Sequence, residues 1–116
     1  MNTQPDLFSA RPMTVQQIAQ AHGNQLSTEF LNWLPDNMHI WDAFVRESMS
    51  ILRRGYTHYS SRTIIEYLRH NTALSQNDGE FKINNNIQPY LPRLFNLIYP
   101  QHRGLWEFRA TTKRKG

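Results

Sequence analysis

The chain of 116 residues contains no cysteine. That excludes a disulfide framework, a thiolate metal site and a cysteine nucleophile, and it fits a reducing compartment. No apolar run approaches the ~20 residues that a bilayer core demands, and the first residues lack the basic-then-apolar layout of a secretory leader. The expectation is a soluble, cytoplasmic protein. With only 5 glycines, none of them clustered, there is no phosphate-cradling loop. The 9 carboxylates form no Asp-x-Asp pair of the sort that holds Mg²⁺ in nucleases. His22, His39, His58, His70 and His102 are scattered, with no His-x3-His or His-Glu-x-x-His spacing to put two ligands on one helical face. His58 and His70 flank one helical segment, where structural histidines are the commoner outcome. Ser60-Ser61 lies in no nucleophile-elbow context. Catalysis, metal and cofactor are therefore not expected. No internal repeat or low-complexity segment is present.

What remains is a globular composition with uneven charge. Apolar residues make up 39% of the chain, with 3 Trp, 6 Phe and 5 Tyr, enough for one domain with a real core. Residues 1–50 hold two arginines against five carboxylates, a net of −3, whereas residues 51–116 hold eleven Lys and Arg against four carboxylates, a net of +7. A basic C-terminal half favours a polyanionic partner, although a solvated basic face is common in small proteins.

Within that half, residues 81–100 read as a short strand, an elbow of Asn84, Asn85 and Asn86, and a helix that begins near residues 86–88 and stops at Pro100. Leu91, Leu94, Phe95 and Ile98 recur at helical spacing, and Pro89 and Pro92 are tolerated in a first turn whose amides have no partner. Asn84, Asn85, Asn86, Gln88, Tyr90, Arg93 and Asn96 occupy the remaining surface, the chemistry of a recognition helix. Asn and Gln can pair with adenine, Arg with guanine, and all of them with phosphate. The same asparagines also suit a turn and an N-cap.

Upstream, Thr14 and Gln17 form a capping box, with Met13 and Ile18 placed as a hydrophobic staple. That short helix is expected to end at Gly23 as a left-handed cap. Ser27 caps a second, with Leu26 set against Leu31, and Pro35 should end it. Asp36 or Asn37 can cap the longest helix, about 38–54. There Trp41, Val45, Ser48 and Leu52 form one row and Ile40, Phe44 and Ile51 the next. Arg53 and Arg54 suit the negative end of its dipole, a role weighed above phosphate contact, and Gly55 closes it. Ser60 caps a helix over about 61–72, with Ile64, Ile65 and Leu68 inward and Arg62, Glu66, Arg69 and His70 outward. Asn77-Asp78-Gly79 is a strong turn signal, and 80–83 and 105–109 read as strands. Residues 1–12 read as a loose tail, 13–110 as one domain and 111–116 as a disordered basic tail.

This order gives a mainly α domain with a small antiparallel β-ribbon, a winged-helix-like relative of the helix-turn-helix. The connection over 73–86 is longer than a tight helix-turn-helix has. Such a domain binds nucleic acid, double-stranded DNA ahead of RNA, through Asn84, Asn85, Asn86, Gln88, Tyr90 and Arg93. Arg62, Arg69, Arg103, Arg109, Lys113, Arg114 and Lys115 would face phosphates. RNA stacking on Tyr56, Tyr59 or Tyr90 is a further possibility.

Two resemblances add to this. His58-Tyr59-Ser60, Ile64-Ile65-Glu66, Arg69-His70-Asn71-Thr72, Phe81 to Asn86, Arg93-Leu94-Phe95, Tyr99-Pro100, Gly104 and Glu107-Phe108-Arg109 together resemble a group of small uncharacterised phage and prophage proteins. That likeness, over roughly residues 30–110, implies a compact bacterial or phage protein and no particular activity. Separately, Gln4, Asp6, Leu7 and Phe8 resemble the peptide by which bacterial replication proteins dock on the DNA polymerase sliding clamp, with Pro5 where leucine is common. It implies an adaptor whose Leu7 and Phe8 fill an apolar pocket on that partner. Both side chains could instead pack on the protein's own core.

Overall fold

The computed structural model of the chain describes residues 14–71 and 83–106. Five α-helices carry it: α1 (Val15–Ala21), α2 (Thr28–Trp33), α3 (Met38–Arg53), α4 (Ser61–Asn71) and α5 (Tyr90–Ile98). Short 3-10 turns lie at Gly23–Gln25, Leu34–Asn37 and Pro100–His102. Helix accounts for 72% of the described residues, and no helix among them is long and apolar enough to cross a membrane.

Local chemistry sets most of the helix starts. Thr14 Oγ1 accepts from the Gln17 amide at 3.1 Å while Gln17 Oε1 accepts from the Thr14 amide at 2.8 Å, the reciprocal capping box. Ser27 Oγ accepts from the Phe30 amide at 3.0 Å, and Ser60 Oγ from Thr63 at a longer 3.4 Å. Gly55, at φ 93°, turns the chain out of α3 as expected.

Other boundaries differ from expectation. Gly23 takes no left-handed cap, because the chain runs straight into the Gly23–Gln25 turn instead of reversing. The second helix does end where Pro35 approaches, at Trp33. Pro35 also occupies the first turn of the 3-10 helix Leu34–Asn37, where a missing amide costs nothing, and that turn leads straight into α3. Asn37 occupies the N-cap position of α3 without capping it, since its Nδ2 donates backwards to the Trp33 carbonyl at 2.8 Å.

The long α3 is the platform on which α4 and α5 both pack, and α5 also lies against α1. Ile40, Trp41, Ala43, Phe44 and Ile51 are its buried face. Ser48, fully buried in the same row, is satisfied by donating to the Phe44 carbonyl at 2.7 Å. Phe44 is the centre of an aromatic cluster, with ring centroids 6.0 Å from Trp41, 6.3 Å from Phe95 and 5.3 Å from Trp106. Burying each such side chain contributes ~1.5–3 kcal/mol.

The expected antiparallel ribbon is corrected. No strand occurs among the described residues, and Trp106 instead forms a single parallel bridge with Tyr59, whose amide donates to the Leu105 carbonyl at 2.7 Å. Leu105 and Trp106 are both buried, so burial rather than strand pairing explains their apolar character. Residues 80–82 and 107–109, the rest of the expected ribbon, lie outside the described residues, as do the Asn77-Asp78-Gly79 turn and Met13 of the expected staple.

Candidate nucleic-acid interface

The asparagine elbow is held from both ends. Ile83 and Ile87 are buried, and Arg69 of α4 donates from Nη2 to the Ile83 carbonyl at 2.9 Å. Between these anchors Asn84 Oδ1 accepts from the amides of Asn86 at 2.8 Å and Ile87 at 3.1 Å. The Asn84 carbonyl accepts from Gln88 at 2.9 Å, closing one turn before the helix proper. The turn reading of Asn84 is therefore realised and the N-cap reading is not, and its amide oxygen is engaged by the backbone. The preceding turn also explains why α5 starts at Tyr90 rather than near residue 87: Pro89 holds the N-cap position.

Helix α5 is a core helix. Leu91, Pro92, Leu94 and Phe95 are buried, Tyr90, Asn96, Leu97 and Ile98 half-buried, and Arg93 alone is exposed. A helix laid into a major groove offers a row of polar side chains, whereas α5 exposes a single side chain, Arg93. The accessible polar chemistry is shifted to its leading end, where Asn85 and Asn86 are exposed and Gln88 half-buried. The Arg93 guanidinium lies over the Tyr90 ring at 5.1 Å, and the same ring packs on Phe30 at 5.7 Å. Tyr90 thus ties this surface to the core.

Asn85, Asn86, Pro89 and Tyr90 form one side of a shallow groove of about 320 Å³, and Ser27 and Glu29 at the start of α2 form the other. Glu29 brings a negative charge beside the amides. A carboxylate there repels phosphate but can accept from the amino group of cytosine. Ser27 and Glu29 were not candidates from the sequence, because nothing local links α2 to an elbow more than fifty residues away.

The remaining candidates divide. Arg62 is exposed on the first turn of α4, and Arg103 is exposed after Pro100–His102, neither lining this groove. Arg69 is committed to structure, with Nη1 2.6 Å from Glu66 Oε2 in addition to its bond to Ile83. Arg109, Lys113, Arg114 and Lys115 lie outside the described residues, as do Gln4, Asp6, Leu7 and Phe8. Among the described residues no three His, Asp or Glu gather as metal ligands. Compared with protein-family models, curated proteins and solved structures, the chain finds no match in any of the three.

Proposed function

We propose that this chain is a nucleic-acid-binding module without catalysis, of phage or prophage type, that engages double-stranded DNA ahead of RNA through the asparagine elbow and Arg93. The observation that carries the reading is the exposure of Asn85, Asn86 and Arg93 on an elbow anchored by buried Ile83 and Ile87. Polar base-reading groups on a rigid support lose little entropy on contact. The net of +7 over residues 51–116 supplies attraction to phosphate. In this reading α4 and α5 hold the elbow between them and present it at the leading end of α5. Asn84 holds the turn, Asn85, Asn86 and Gln88 meet base edges, and Arg62, Arg103, Arg109 and the Lys113–Lys115 tail meet phosphates.

Anisotropy of labelled duplex DNA at ~50 and ~200 mM salt tests it, the range over which phosphate-driven affinity falls by orders of magnitude. Arg93→Ala should cost about 1–3 kcal/mol and alter sequence preference, whereas Lys113→Ala should weaken all sequences alike and lower the salt slope by about one. Absence of binding at the lower salt retires the reading.

The second reading is an adaptor that docks on a host replication protein through Gln4, Asp6, Leu7 and Phe8, and the peptide pattern itself favours it. Replacing Leu7 and Phe8 together by alanine should abolish capture of the sliding clamp without changing the melting temperature. Capture that survives the double change would falsify it.

A further inference from the structure

A second cleft, of about 270 Å³, lies between α3 and α4 and shares no residue with the elbow groove. Ile51 and Ile64 give it an apolar floor, and Arg54, Tyr59, Thr63, Tyr67 and Glu47 form its walls. Tyr67, in its wall, is 45% exposed, and Tyr56, which contacts the wall residues Tyr59 and Arg54, is 47% exposed; these two are the large hydrophobic side chains left open among the described residues. Tyr56 is held in place. The Tyr56 ring meets Tyr59 edge-on at 5.2 Å, and the Arg54 guanidinium lies over Tyr56 at 5.9 Å. Tyr59 is fixed in turn by its backbone bond to Leu105.

Arg54 lines the cleft and reaches a ring, and further arginines lie near the cleft residues in sequence. Arg53 and Arg54 end α3, Arg62 opens α4 next to Thr63, and Arg103 lies two residues before Leu105. All four are exposed, and the cleft itself holds one carboxylate, Glu47, half-buried. Exposed aromatic faces bind any base by stacking, and arginines beside them take the phosphates between bases. A duplex cannot use such faces, because its bases are already stacked on one another.

We propose that the cleft between α3 and α4 binds a single-stranded nucleic-acid segment, a base against Tyr56 and Tyr67 and its backbone beside Arg54. The cleft volume lies near the lower end of ligand sites, roughly 300–1,000 Å³, which suits one or two nucleotides at the centre of a longer contact. This assignment does not depend on duplex binding by the elbow.

The test is anisotropy with labelled oligothymidylate and oligouridylate of about 12 nucleotides, inside the 4–16 range usual for single-strand sites. Binding is expected at ~50 mM salt, and Tyr56→Ala and Tyr67→Ala should each weaken it about tenfold or more. Tyr67→Phe, which keeps the ring, should retain it. Both tyrosines are exposed, so melting temperatures should stay unchanged. Asn85→Ala with Arg93→Ala should leave single-strand binding intact, which separates this site from the elbow. Preference for one oligomer identifies DNA or RNA as the source of the strand. No binding of either oligomer overturns the proposal, as does binding that the tyrosine variants leave unchanged or that duplex competes for equally.

Discussion

Arg69 shows how one side chain can exchange an expected role for another. Its position on the outer face of α4 suggests a phosphate contact, yet its guanidinium joins Glu66 on its own helix to the Ile83 carbonyl fourteen positions on. With 26% of the side chain exposed, part of that gain is screened by water. Removing a charged donor from a carbonyl still costs about 1–2 kcal/mol. Arg69→Ala is therefore expected to lower the unfolding free energy by that amount in a denaturant titration and to speed hydrogen exchange at the Asn86 and Ile87 amides. Arg69→Lys should recover only part, because one ammonium does not reproduce a planar fork. Exchange rates that stay as in the parent protein would show that Asn84 holds the elbow unaided. Asn84 is the complementary case. An asparagine is both a base reader and a turn former by composition, and the free amides two and three residues ahead decide between the two.

At the scale of the element, helix starts were legible because capping is local. Thr14 with Gln17, and Ser27 with Phe30, need only a hydroxyl and the following turn. Ser27→Ala should accordingly cost about 1 kcal/mol in a denaturant titration and Ser27→Gly only a few tenths, since glycine is a tolerated cap. Equal losses for both would point to a contact other than the cap. The apolar faces were legible for a similar reason: Ile64, Ile65, Leu68, Leu91, Leu94 and Phe95 are buried as their spacing implies. Periodicity does not, however, state how many faces of a helix are covered. The stripe on α5 continues through Pro92 and is flanked by half-buried Leu97 and Ile98, leaving Arg93 as its exposed side chain. The exposure of Tyr67 was not picked out from the sequence, nor was the meeting of Glu29 with the elbow.

For the molecule as a whole, the decisive contacts are those that join distant segments. Phe44 meets the rings of Phe95 and Trp106, and so links α3 to α5 and to the segment that follows it. Phe44→Ala should cost about 3–5 kcal/mol, a large share of the 5–15 kcal/mol usual for a domain. Loss of cooperative thermal unfolding is the expected readout, and a shift of a few degrees would mean that the cluster repacks. The ribbon failed at this scale. Alternation in Leu105-Trp106-Glu107-Phe108-Arg109 is the pattern of a half-buried strand, but apolar side chains alternate equally well when a segment is stitched into a helical core at one point. That point is the Tyr59 to Trp106 bridge, which closes a loop of nearly fifty residues. It also sets an order on biosynthesis. Helices α3 and α4 leave the ribosome with the Phe44 side of the cluster uncovered, and its covering by Phe95 and then Trp106 waits until those residues have been made. During that interval the nascent chain presents aromatic surface to chaperones and to its neighbours, and the speed of translation through residues 72–106 decides how long.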